Sequence, residues 1–384
     1  MLFQHQHGTS CGCRLPTRRG ILTGLAGGVG LLAMGGVARA QVQSPTDLPA
    51  DLYAKLTPAE IKAVPAMQPV ASRALIKAVK RIDVHHHPVP PAYIETVSNR
   101  TGLAPALRGW SPEKSLADMD RANVETAMLS IPANGLWLPD AAANAKIARG
   151  CNEYMAGMVK DHPGRFGFWA ALPLPDIDAS LKELTYALDT LHADGIGLFT
   201  VYGLKWLGDP AFQPLWEELN RRHAVVYTHP TSASCCGNLI KGVLDSVVEY
   251  GTDTARTIAS LLFTGTAAKY PNVKLIFSHA GGTMPALIER FVLMSRQNST
   301  RKVTPDGIMK LIGSFYYDVA QAANPEALGA LTRIVPKSQV VFGTDFPYRT
   351  SIEYIAALKD CGFSNKELVA IGRTNALPLV PRLR

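Results

Sequence analysis

Asp83-Val84-His85-His86-His87 carries more potential chemistry than any other stretch of this chain. In an extended strand alternate side chains share a face, so His85 and His87 point one way and His86 the other. Two imidazoles at that spacing can grip one ion. His229, His279 and Asp345 each follow a later short apolar run. Histidines and a carboxylate gathered from separate strand ends make the ligand set of a catalytic metal site. The shell read from this pattern is His85, His87, His229 and Asp345, with one position left for water or substrate. His279 is set apart as an acid/base or substrate-polarising group, because imidazole titrates near neutral pH. Such a shell suits one divalent metal ion, zinc first, with manganese or iron also accommodated.

Positioning these residues requires a particular scaffold. Short apolar runs recur at 81–84, 124–131, 165–172, 195–201, 224–228, 273–278, 314–319 and 339–344. Amphipathic helical stretches such as 141–159, 179–192 and 210–222 lie between them. Strands alternating with helices predict an α/β fold, a (β/α)8 TIM barrel of the metal-dependent hydrolase type. An open doubly wound sheet is the alternative, but no glycine-rich phosphate loop follows the first run. The five polar residues all fall at carboxyl ends of predicted strands, the face where barrel active sites are built. A buried core histidine is the usual explanation for any one of these taken alone; five in register point to a site. The fourth run, 195–200, has no lysine to be carbamylated between two metals, and Lys205 reads as a solvated loop residue. A single ion follows.

Composition narrows the class further. A chain of 384 residues, 47% apolar, can bury one large barrel core. Its formal charge of +8 includes Arg14, Arg18, Arg19 and Arg39 in a leading segment without Asp or Glu; removing these four leaves +4. No basic helix with interleaved aromatics remains, which argues against nucleic-acid binding. Residues 1–40 read as a twin-arginine signal peptide: Thr17-Arg18-Arg19-Gly20-Ile21-Leu22, a Gly- and Ala-rich apolar stretch, then Ala38-Arg39-Ala40 before Gln41. The reading is a periplasmic or exported protein with no stable membrane insertion after cleavage. Residues 41–80 read as a Pro- and Ala-rich N-terminal arm, and 81–384 as the barrel. Of six cysteines, Cys151, Cys235, Cys236 and Cys361 lie beyond the signal, and Cys235-Cys236 reads by default as loop packing.

The chain resembles the amidohydrolase-related metal-dependent decarboxylases, the family acting on 2-amino-3-carboxymuconate 6-semialdehyde and γ-resorcylate. The segments carrying the likeness are the Asp83–His87 run, Asp118-Met119-Asp120, His162-Pro163-Gly164-Arg165-Phe166, Thr228-His229-Pro230, Ser278-His279-Ala280-Gly281-Gly282 and Gly343-Thr344-Asp345-Phe346-Pro347. Leu207-Gly208-Asp209-Pro210, Cys235-Cys236 and Asp253-Thr254-Ala255-Arg256-Thr257 look most like the 6-methylsalicylate decarboxylase branch. The resemblance implies a metal held by His85, His87, His229 and Asp345, a catalytic His279 and a homodimer. It also implies a small carboxylic acid as substrate, a 2-hydroxybenzoate or a related unsaturated acid. Hydrolysis of a lactone, ester or amide on the same barrel is the alternative, since one metal can also activate water; a metal-binding protein without turnover is a third.

In a decarboxylase, Asp345 with its proton managed by His279 is the candidate donor to the ring, a role that calls for a raised aspartate pKa. Arg256 could pair with a substrate carboxylate, or form a salt bridge within its helix. Phe346, Tyr348 and Trp206, with Trp137 and Tyr202, are candidate aromatic walls for the ring. Arg290 could reach a neighbouring subunit's site or lie on the surface. His86 should pack outward against a helix, with Asp83 supporting its strand. His5, His7, His162, His192 and His223 carry no functional reading.

Overall fold

Near-continuous apolar runs separated by helices form strands covered on both faces, the signature of a parallel sheet wrapped in helices. The computed structural model describes residues 73–98, 103–133 and 140–384. Among these, eight strands follow one another in chain order around a single parallel sheet. They are β1 (Arg81–His86), β2 (Val124–Leu129), β3 (Phe166–Ala171), β4 (Gly195–Phe199), β5 (Val225–His229), β6 (Lys274–Phe277), β7 (Tyr316–Asp318) and β8 (Val340–Val341). Closure comes from the chain running on past β8. Val84 N donates to Phe342 O (3.0 Å), Asp345 N to His85 O (2.8 Å) and His87 N to Phe346 O (2.8 Å). The fold is the (β/α)8 barrel that the periodicity predicts.

The helices used below are α1 (Pro112–Ala122), α2 (Ala141–Asp161), α3 (Ile177–Asp189), α4 (Gln213–Arg221), α5 (Asp245–Phe263) and α6 (Ser351–Asp360). Several begin where their chemistry dictates. Ser111 accepts from Lys114 N ahead of α1, and Asp176 from Ala179 N ahead of α3. Thr350 and Glu353 form a reciprocal capping box on α6. A short helix, Arg73–Ala78, precedes β1 and is the described part of the arm. The signal-peptide segment lies outside the described residues, as does Trp137.

Side-chain alternation sorts the core into two parts. Even-numbered residues of β4 and β5, Ile196, Leu198 and Val226, pack outward with the helices. Val225 and Tyr227 of β5, Trp169, Met128, Ile276 and Val341 fill the barrel, with Ala376, Leu379 and Val380 completing the cluster. Gly195 in β4 makes way for the largest of these. A Cβ there would lie 3.0 Å from the Trp169 ring and 2.5 Å from Val225 O.

β1 departs from strict alternation. Its pairing with β2 shifts register between Asp83 and His86. Asp83 and His86 meet through Oδ2 and Nδ1 at 3.0 Å, and His86 Nε2 reaches Ser115 Oγ of α1 at 2.9 Å. Val84 belongs to the inner cluster. The irregularity lets Val84 and His85, consecutive residues, both serve the interior. His86 packs against a helix as its alternation requires, and Asp83 ties β1 to the end of β8 by accepting from Thr344 N (3.0 Å) and Oγ1 (2.6 Å).

Candidate metal centre

The polar residues at the carboxyl ends converge. His85 Nε2 lies 3.1 Å from His87 Nε2 and 3.1 Å from Asp345 Oδ1, and His87 Nε2 is 2.9 Å from the same oxygen. His229 Nε2 is 4.0 Å from Asp345 Oδ1, and His279 Nε2 is 3.5 Å from Oδ2. Donor atoms of His85, His229, His279 and Asp345 all fall within 4.8 Å of one another. The protein thus presents a three-histidine, one-aspartate metal site, and a fourth imidazole, His87, contacts the same Asp345 oxygen.

The rings are held from behind. His87 Nδ1 donates to Ser130 O (2.8 Å), His229 Nδ1 to Pro230 O (2.8 Å) and His85 Nδ1 to Asp318 Oδ2 (2.9 Å). A neutral imidazole that donates through Nδ1 leaves a lone pair on Nε2. Three such nitrogens therefore face a carboxylate in a buried space. His229 Nε2 and His279 Nε2 have no hydrogen-bond partner there. An orphaned inward His229 Nε2, with the Nε2 lone pairs of His85 and His87 turned to the same carboxylate oxygen, is what a divalent cation would satisfy, so the residues fit the ion.

The electrostatics follow from burial and charge. Burial drives the His229 imidazole down to about 3, and it also lowers His87. Burial opposes charge on His85 too, but Asp345 and Asp318 outweigh it and raise that imidazole to about 10. A proton and a metal ion compete for the same nitrogen. Burial alone would raise Asp345, yet the charge of His85 and hydrogen bonding from the surrounding histidines hold it well below the usual carboxylate range. This is the reverse of the raised aspartate that a proton donor calls for: four imidazoles surround the carboxylate, and the charge on His85 and the histidine hydrogen bonds outweigh its burial.

The remaining candidate residues separate. Tyr348 presents its edge to His87, with centroids 6.0 Å apart. Phe346 does not face the cluster, contrary to the sequence reading. It stacks on the outward His86 (4.7 Å, 17° between planes), the residue with which its backbone forms a parallel bridge. Trp206 commits its indole N–H to Asp253 Oδ1 at 2.8 Å. Arg256 is engaged on its own helix, 3.3 Å from Glu249 and 3.6 Å from Asp253, so the helix salt bridge is the arrangement present. Tyr202 packs on Phe212 and accepts from Phe199 N, and Arg290 is exposed. Cys235 and Cys236 are paired as a disulfide of adjacent residues, where the sequence reading has loop packing.

Three residues of the site escape the motif-based reading. Asp318 ends β7 exactly as the ligands end their strands, and that position is the signal that could have found it. Gln321 donates to Asp345 Oδ2 (2.9 Å). Arg349, next to Tyr348, has Nε and Nη2 buried without a hydrogen-bond partner, and its nearest carboxylate, Glu353, lies 3.8 Å away. A cavity of about 10 Å³, room for one water, is lined by Ser130, Ala171, Gly197, Tyr227 and His229. The hydroxyls of Ser130 and Tyr227 have no partner in the protein.

Fold, ligand set and sequence agree on the class: the chain belongs to the amidohydrolase (Amidohydro_2) family, whose pattern it matches over residues 82–382. Among characterised relatives, the decarboxylase yanB of Aspergillus niger is 40% identical over 325 residues, covering 79% of this chain and 88% of that protein. The 6-methylsalicylic acid decarboxylase of Penicillium expansum is 35% identical over 315 residues, covering 79% and 97%. A similar fold is seen in the dihydroxybenzoic acid decarboxylase of Polaromonas sp. JS666, crystallised with manganese and 2-nitroresorcinol. Its TM-score is 0.69 at 22% identity, over 80% of this chain and 98% of that one.

Proposed function

We propose that this carboxy-lyase removes CO₂ non-oxidatively from a 2-hydroxybenzoate-type acid at a single divalent cation, zinc in the first instance. The observation that carries the reading is the convergence of His85, His87, His229 and Asp345 on one buried point, in a chain related to aromatic-acid decarboxylases. Among the described residues no outer partner holds His279 by its Nδ1, unlike the three rings anchored from behind. This supports His85, His87 and His229 as ligands and leaves His279 Nε2 to handle a proton. A cation bound there supplies Lewis acidity and a chelation point for the phenolic and carboxylate oxygens.

The chain's own groups do the rest. Tyr348, edge-on to His87, borders the space for the ring. Arg349 has guanidinium nitrogens without a hydrogen-bond partner, its Nε 3.8 Å from Glu353, that suit a carboxylate, whereas Arg256 is held more closely by Glu249 and Asp253. His279 Nε2 and Asp345 Oδ2, 3.5 Å apart, form the pair from which a proton reaches the ring carbon bearing the carboxylate. As that C–H bond forms, the C–C bond to the carboxylate breaks, and its electron pair returns to the ring as CO₂ departs. Incubation of zinc-loaded protein with 6-methylsalicylate and 2,6-dihydroxybenzoate should release CO₂. Acid release from aryl lactones, with no CO₂ from either acid, would instead establish the hydrolase.

The same reading includes export by the twin-arginine route and assembly as a homodimer. The paired arginines and the Ala38-Arg39-Ala40 pattern support the first. N-terminal sequencing of protein from the periplasmic fraction should begin at Gln41, and sedimentation of that protein should give twice the chain mass.

A further inference from the structure

Asp318 is fully buried at the end of β7, two strands away from β1, yet its carboxylate touches both halves of the site. Oδ2 accepts from His85 Nδ1 at 2.9 Å. Oδ1 accepts from the backbone N–H of His279 at 2.8 Å and of Ala320 at 3.0 Å. We propose that Asp318 is a positioning residue that fixes the tautomer of His85 and pins the backbone of His279, so that ligand shell and proton carrier share one anchor. The assignment rests on the reading of His85 as a metal ligand.

Two features of the surroundings carry it. First, Asp318 reaches β1 only because the intervening chain has a glycine at the crossing. A Cβ on Gly343 would lie 2.9 Å from the Asp318 Cβ and 3.0 Å from the His85 Cβ, closer than such atoms approach. The glycine is the gap through which the carboxylate meets the imidazole. Second, His279 and Ala280 adopt φ of 55° and 54°, a left-handed conformation that ordinary L-residues enter at a cost. The hydrogen bond from His279 N to Asp318 holds the chain in that turn. An acceptor on His85 Nδ1 leaves Nε2 free to bind metal, and a donor there would force the proton onto Nε2 and block ligation.

Asp318→Asn tests the first half, since the amide can still accept from His279 N through Oδ1 but can offer His85 an N–H. Zn²⁺ affinity should fall 10- to 100-fold, about the cost of losing an outer-shell partner. In the metal-free variant the His85 ring proton should move from Nδ1 to Nε2, read from the imidazole nitrogen shifts. Gly343→Ala changes no polar atom and should weaken Zn²⁺ binding in the same direction by separating the pair. Asp318→Ala tests the second half: amide exchange at His279 should quicken at least tenfold relative to Asp318→Asn. Thermal unfolding of the metal-free variants identifies any that merely misfold. Wild-type Zn²⁺ affinity with an unchanged His85 tautomer in both Asp318→Asn and Gly343→Ala overturns the assignment. A wild-type chain that takes up no Zn²⁺ overturns the metal reading, and this assignment with it.

Discussion

The two ends of the barrel handle polar groups in opposite ways. At the amino end, charges are paired and backbone acceptors are covered. Arg382 reaches Asp194 Oδ2 (3.0 Å) and Phe166 O (3.1 Å), Arg373 reaches Glu125 (2.9 Å), and Arg81 donates to Val79 O (2.7 Å) and Ala122 O (2.9 Å). At the carboxyl end, His229, His279, Ser130, Ser278 and Arg349 all keep buried polar atoms without partners. The backbone differs as well. Asn123, His192 and His223 take positive φ where chains leave helices for strands, an ordinary use of that conformation. His279, Ala280, Gln321 and Asp345 take it just after strands, where the chemistry is. One end is closed for stability, and the other keeps unsatisfied groups in readiness for ligands.

This contrast can be broken at either end. The largest effect should come from the metal: chelation, or Asp345→Asn, should lower CO₂ release by more than about 10³-fold, an order consistent with loss of the principal electrostatic contribution. Asp345→Asn should retain part of the metal, measured by elemental analysis; near-normal turnover in that variant would remove Asp345 from the chemistry. His279→Asn should cost roughly 10²- to 10⁴-fold in kcat, the usual range for one acid/base group. It should leave the metal content unchanged, whereas a drop in bound metal would move His279 into the ligand shell. Arg349→Met should raise KM for 6-methylsalicylate about tenfold, as loss of one charge-assisted contact does, and Arg256→Met should move it far less. Equal effects would erase the distinction drawn between these arginines.

At the amino end the effects should be on stability alone. Arg382→Ala should destabilise by about 1 kcal/mol or more, since it strips a largely buried Asp194 carboxylate of its partly exposed partner, and leave kcat unchanged. A fall in turnover would mean the two ends are coupled. The smallest effect concerns Glu218, in the last turn of α4. A hydrogen bond from Arg221, joined by Arg222, holds its carboxyl down to about 2. A carboxyl held low in the folded state stabilises it above the ordinary carboxylate pKa and loses that contribution as pH falls toward 2. The thermal midpoints of wild type and Glu218→Gln should therefore differ slightly at pH 7 and converge near pH 2.

Much of the catalytic end was readable from residue order, because strand ends are fixed by apolar runs and the site residues sit one to three residues beyond them. His85, His87, His229, His279 and Asp345 come together on that basis, and His86 turns outward by alternation. What escaped depends on information that periodicity lacks. The register shift in β1 is a local break in period, invisible to a rule that assumes it. Asp318 has no motif around it, and its partnership with His85 spans a strand through the missing side chain of Gly343. Phe346 was placed by nearness to Asp345 in sequence, although its backbone bridge to His86 turns it to the outward face. Arg256 and Trp206 were judged by type, and both are drawn to the buried carboxylate of Asp253, a partner contributed by a helix turn rather than by a strand end.

The inward packing of Ala376, Leu379 and Val380 beneath Trp169 and Met128 has a consequence for biosynthesis. These residues are made some three hundred positions after β1, so the hollow of the cylinder stays unsealed while all eight strands are synthesised. Until residue 380 has emerged, the indole and its neighbours have water where their last apolar contacts belong. Completion of the inner core therefore cannot precede the synthesis of residues 376–380.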